Sequence, residues 1–139
     1  MESNVLVPLD DSPQSWDALD YALAEFPDAE IHVLHVVDPV SSVLSGTPLG
    51  TADARSRAEE RAENVVEEAR EAADAVGVSL TAAIETGRPA REIVAFASEH
   101  PIDHIVMGSH GRDRVARVLL GSVTETVVRR ADVPVTVVR

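Results

Sequence analysis

Two short glycine-bearing segments hold the residues best suited to chemistry. Gly108-Ser109-His110-Gly111-Arg112 carries two glycines three apart, and Gly121-Ser122-Val123-Thr124 follows after nine intervening residues. Close glycines let a backbone turn tightly and bring amide N–H groups near an anion. The second segment opens a predicted helix over 122–130. A helix N-terminus offers unpaired N–H donors and the positive end of the helix dipole. The hydroxyls of Ser122 and Thr124 could add donors, and Arg112, Arg114 and Arg117 gather positive charge between the segments. The chemistry that these types and spacings suit is the holding of phosphate. Each piece also has a structural reading. Gly108 could simply turn the chain after a strand, and Ser122 with Glu125 forms an S-x-x-E capping box that needs no ligand.

Other chemistry-bearing residues point elsewhere less well. Asp10-Asp11 matches the acidic pair of a phosphate-accepting receiver domain, but that reading needs a lysine and the chain has none. A flavin carrier would stack aromatics on its ring. Here Trp16, Tyr21 and Phe26 fall on one helix, where packing accounts for Trp16 and Phe26. His32 and His35 are three apart in a predicted strand and so point to opposite faces, which argues against a shared metal site. With His104 they read as ordinary core or surface histidines. The chain has no cysteine, which removes disulfides, thiolate metal sites and thiol catalysis.

Strands and helices must alternate to position these segments. Asn4–Leu9 reads as a first strand. Ser12 as N-cap and Pro13 at the first helical position start a helix whose Trp16, Leu19, Leu23 and Phe26 should face a sheet. Ile31–Val37 reads as a second strand, and 39–50 as a loop rich in Ser, Gly, Pro and Thr. A long amphipathic helix runs from about Ala52 to Val76, capped by Gly77. Val78, Leu80, Ala82 and Ile84 alternate with polar residues, the pattern of a half-buried edge strand. Gly87-Arg88-Pro89 opens a third helix. Ile102–Met107 is a buried strand, 122–130 the last helix and Val133–Val138 a last strand. Strands separated by helices imply a parallel sheet with helices on both faces. The fold expected over 1–139 is one doubly wound α/β domain, flavodoxin/Rossmann-like, with five strands in the order 3-2-1-4-5. In such a sheet ligands sit beyond the strand ends where the order reverses. That places Leu9-Asp10 and Met107-Gly108 on either side of a crevice.

Composition narrows the functional class. In 139 residues the formal net charge is -12, and all basic residues are arginine. An acidic surface repels nucleic acid and anionic lipid, so neither is expected as a partner. Plain solubility and adaptation to a salt-rich cytosol both account for that charge. No apolar run spans a bilayer and the start lacks a secretory pattern, so a cytoplasmic location is expected.

The spacing G-x2-G-x9-G-[ST], filled by Gly108, Gly111, Gly121 and Ser122, resembles the ATP-binding signature of the universal stress protein family. Val7-Pro8-Leu9-Asp10, His35-Val36-Val37-Asp38 and Gly87-Arg88-Pro89 are similar to other parts of that family's pattern, so the likeness covers nearly the whole chain. The resemblance implies that Gly108, His110, Gly111 and Arg112 wrap the phosphates and ribose, and that Gly121, Ser122, Val123 and Thr124 complete the cradle. It implies that Pro8, Leu9 and Asp10 line the adenosine side, that Val36 pairs with adenine through its backbone, and that Met107 packs beneath the nucleotide. Arg112 departs from the lysine common in this branch, but keeps the charge.

The ligand so implied is ATP, or AMP or ADP, with Mg or Mn carried on the phosphates. The resemblance also implies a homodimer through the last strand, Val133–Val138. The expected role is regulatory or protective, in the response to stress and dependent on nucleotide. No lysine of the P-loop kind exists and Asp10 is the one carboxylate near the site, so slow ATP hydrolysis or none is expected. A slow hydrolase and a dimeric module without nucleotide are the alternatives.

Overall fold

The computed structural model describes residues 3–39, 52–110 and 120–139. Its elements are β1 (Asn4–Pro8), α1 (Pro13–Glu25), β2 (Glu30–Val37), α2 (Ala52–Val76), β3 (Leu80–Thr86), α3 (Pro89–Glu99), β4 (His104–Gly108), α4 (Ser122–Arg130) and β5 (Val135–Val138). All five strands are parallel and stand in the order β3-β2-β1-β4-β5, as the alternating pattern predicts.

The central strands are apolar on both faces because both faces are covered. Val5, Leu6 and Val7 of β1 and Ile105 and Val106 of β4 are fully buried. On one side α1 and α2 pack Ala18, Leu19, Val65 and Ala69 against Val5, Val7 and Val33, with Trp16 and Phe26 partly buried at the margin. On the other, α3 and α4 pack Ile93, Phe96 and Val127 against Leu6, Leu34 and Met107. Non-alternating apolar runs are what such two-sided burial requires. Edge strand β3 does not show the expected alternation: Leu80, Ala82 and Ala83 are half-buried, and Ile84, expected on the buried face, is exposed. Among the described residues no helix is long and apolar enough to cross a membrane.

Local rules set most boundaries. The Ser12 hydroxyl accepts the Ser15 N–H at 3.2 Å and starts α1. Gly77 ends α2 at φ +70°, a left-handed conformation that glycine adopts without penalty. Three strands start two residues later than the apolar pattern suggests. The Val78 N–H still serves the end of α2, through Ala73 O at 3.0 Å, so β3 begins at Leu80. The Ile102 N–H bonds His100 O at 2.7 Å within a turn, so β4 begins at His104. Pro134 lacks an N–H, so β5 begins at Val135, although the Pro134 carbonyl still accepts from Ile105.

The three strand histidines have separate partners. His32 pairs with Asn4 at 2.9 Å and meets Phe96 edge-on, His104 pairs with Thr136 at 2.7 Å beside Phe26, and His35 bonds the Leu9 carbonyl. Burial holds the His32 pKa below the ordinary histidine value, with repulsion from His100 adding to the effect and Glu30 opposing it.

Gly108, at the end of β4, is glycine for a packing reason. A Cβ there would lie 2.8 Å from the backbone carbonyl carbon and oxygen of Gln14 in α1. That backbone is fixed by the helix and cannot give way. Gly108→Ala should therefore destabilise the fold by about 1–3 kcal/mol, the range for overpacking, measured as a lower urea midpoint at unchanged m-value.

Candidate nucleotide-binding cleft

The cleft begins where two paired strands part. β1 and β4 are in register only at Val5↔His104 and Leu6↔Ile105. Beyond that point β1 stays with β2, through Leu9 N–H to Leu34 O at 2.9 Å. β4 stays with β5, through Ser109 N–H to Val138 O at 2.8 Å. The carboxyl ends of the two central strands thus diverge at the place where strand order reverses, the usual ligand position in open α/β sheets. A cavity of about 330 Å³ opens there.

Four segments of the chain that carry predicted site residues line it. The end of β1 supplies Pro8, Leu9 and Asp10, and the end of β2 supplies Val36. Met107, Gly108 and His110 come from β4 and its continuation, and Gly121, Ser122, Val123 and Thr124 from the start of α4. These eleven are all the candidate residues that lie in the described regions. Gly111 and Arg112 lie outside the described residues, as do Arg114, Arg117 and all but the first residue of the loop predicted over 39–50.

The start of α4 is held against β4 by two bonds. The Gly121 N–H donates to Ser109 O at 2.7 Å, and the buried Thr124 hydroxyl donates to Gly108 O at 2.8 Å. The Thr124 hydroxyl proton is therefore committed to the strand, and its expected service as a phosphate donor is corrected: the residue fixes the helix start. The capping box is also absent. Gly121, not Ser122, is the N-cap, with no side-chain cap, and the Glu125 carboxylate pairs with Arg129 at 2.6 Å instead of reaching back. No side chain of the N-cap thus competes for the first-turn amides of α4, which is the arrangement that suits an anion.

The opposite wall is equally ordered. Asp10 accepts from Ser12 twice, from its N–H at 3.0 Å and its hydroxyl at 2.5 Å. The His35 ring donates Nδ1–H to Leu9 O at 2.7 Å, since a carbonyl can only accept. Sequence reasoning set His35 aside as an ordinary histidine, yet it lines the cavity. Arg61 and Ala58 of α2, Pro89 and Ile93 of α3, and Asp38 were also missed. Arg61 sits on the exposed stripe of an amphipathic helix, where its sequence position looks like any solvated arginine. His35-Val36-Val37-Asp38 and the Gly87-Arg88-Pro89 turn were the only signals that could have led to these residues.

Fold and cleft together define a doubly wound α/β protein with an anion-suited pocket at its switch point. The chain belongs to the universal stress protein family, whose family model matches residues 1–139. It is 35% identical over 138 residues to universal stress protein MJ0531 of Methanocaldococcus jannaschii, covering 97% of this chain and 81% of that one. The solved structure of MJ0577, from the same organism, superposes with a TM-score of 0.87 at 32% identity, covering 98% and 94% of the two chains. A universal stress protein solved in complex with cAMP superposes at 0.75, with 26% identity over 99% of this chain and 97% of that one.

Removing the Thr124 hydroxyl should loosen the α4 start. Thr124→Val should cost about 1–3 kcal/mol, since a buried carbonyl loses its donor, and Thr124→Ser should recover most of it. Chemical denaturation of the three proteins checks this.

Proposed function

We propose that this chain binds an adenine nucleotide, ATP or its AMP or ADP relatives, in the cleft between β1 and β4. The observation that carries the reading is convergence. Residues 8–10, 36, 107, 108, 110 and 121–124 are far apart in sequence and line one cavity. One end of that cavity is the N-terminus of α4, whose amides suit phosphate. The other is lined by Val36, Pro89 and Ile93, an apolar surface suited to a purine. The cAMP complex of a structural neighbour supports an adenine ligand for this fold.

Phosphates would lie against Gly121–Thr124 and Gly108 to His110, with Met107 beneath the nucleotide and Mg or Mn entering on the phosphates. The role we propose is regulatory or protective in the response to stress, in the cytoplasm, with nucleotide as the controlling ligand. Asp10 is engaged by Ser12 rather than poised as a base, which favours binding over turnover. Mass spectrometry of protein purified without added ligand should find retained adenine nucleotide. Gly121→Val puts a branched side chain at the cradle and should weaken calorimetric ATP binding at least about tenfold, or about 1.4 kcal/mol. Undiminished affinity would falsify the cradle.

We also propose a homodimer through β5. Among the described residues this strand pairs with β4 alone, its residues are half-exposed, and it stands at the sheet edge. An apolar edge is open to pairing with a second chain. Light scattering should give a dimer mass for the parent and a monomer mass for Val137→Pro, which interrupts the strand. A dimeric variant would place the interface elsewhere.

A further inference from the structure

The turn joining β1 to α1 is held more firmly than a connection needs to be. Asp11 stands at φ +70°, the one non-glycine residue with positive φ among those described. Such a conformation disfavours a side chain and persists where the surroundings impose it. Five side-chain bonds hold this turn. The buried His35 ring grips the Leu9 carbonyl at 2.7 Å, and Ser12 donates to Asp10 through both N–H and hydroxyl. The Trp16 indole N–H reaches the Asp11 carboxylate at 2.9 Å. The Ser15 N–H closes on the Ser12 hydroxyl at 3.2 Å. Leu9 is thus anchored on both sides, its N–H by Leu34 and its carbonyl by His35.

A helix start needs only the Ser12 cap. Neither the left-handed Asp11 nor a histidine spanning from β2 is required to begin α1. Both act on where Leu9 and Asp10 stand, and those two residues line the cleft. We infer that His35 and the Asp11–Trp16 pair are positioning residues that preset the Leu9-Asp10 wall for the adenosine half of the ligand. The inference rests on the adenine-nucleotide reading and adds to it a device for preorganisation. A wall already in place spares the ligand the ordering of a flexible turn. The phosphate half, built on α4, is set independently by the Gly121 and Thr124 bonds to β4.

Independence of the two halves makes the test sharp. Calorimetric Kd values for AMP and ATP are measured on the full chain with thermal unfolding alongside. Asp11→Gly relieves the strained backbone and removes the indole's partner, so the protein should remain folded. It should bind AMP and ATP each about fivefold more weakly, the equivalent of one hydrogen bond. Asp11→Asn tolerates the same backbone and keeps an acceptor, and should bind as the parent does. His35→Leu should show the same parallel loss, and His35→Asn, which retains a donor at the δ position, should restore affinity. Gly121→Val differs in kind, losing more for ATP than for AMP.

Unchanged affinities in Asp11→Gly overturn the inference, and so does a loss confined to ATP. Failure of His35→Leu to fold leaves the Asp11 pair to decide the matter. A parent protein that binds neither AMP nor ATP overturns the nucleotide reading and this inference with it. A binding parent with unaffected variants overturns this inference alone.

Discussion

The parting of β1 from β4 after Leu6↔Ile105 is the constraint on which the rest depends. Parallel strands stay together only while their backbone groups have each other as partners. Past Leu6 the β1–β4 pairing ends, while β1 remains bonded to β2 as far as Leu9 and β4 to β5 as far as Ser109. A gap must open between them, and its walls are the first residues after each strand. Everything that could bind a ligand is then mounted on the most rigid part of the molecule. The central strands β1 and β4 beneath the gap are almost wholly buried, the kind of rigid scaffold on which loops carry function.

The two walls are built by different chemistry. On the α4 side the protein leaves backbone amides without a side-chain cap and fixes the helix start by Thr124 and Gly121 bonds to β4. On the β1 side it spends side chains, with Ser12, Trp16 and His35 holding a turn that includes a left-handed aspartate. The first arrangement suits a diffuse negative charge, which amides and a helix dipole attract without a fixed geometry. The second suits a ligand portion whose shape must be met closely. Gly108 lies at the end of β4, where its missing side chain lets the Gln14 backbone of α1 approach the strand.

Much of this was legible in the residues. The alternation of apolar runs with amphipathic stretches yields the element order and a parallel sheet. Ser12-Pro13 marks α1, and Gly77 marks the end of α2. The spacing of Gly108, Gly111, Gly121 and Ser122 marks the cradle side. Strand starts were less legible. Val78, Ile102 and Val133 are apolar and buried or half-buried like strand residues, yet the Val78 and Ile102 N–H groups serve a helix end and a turn, and Pro134 after Val133 has no N–H to give. Apolar pattern reports burial, whereas strand limits depend on hydrogen-bond partners. The S-x-x-E spacing of Ser122 and Glu125 misled for a related reason: Arg129, one turn onward, pairs with the carboxylate that the box would use.

The sequence by itself determined which segments form strands and helices, most of the faces that are buried, and that its two closely spaced glycine-bearing segments gather near the C-terminal end. These are local properties, set by side-chain period, capping and glycine spacing within a few residues. Only the tertiary structure decided that His35, Arg61, Pro89 and Ile93 belong to the same cavity as Gly121. It also decided that the Thr124 hydroxyl serves the strand rather than a ligand, and that Gly108 is glycine because of Gln14. Each of those facts depends on a pair of residues brought together across the sheet. No spacing along the chain encodes such a pair until strand order and helix placement are fixed.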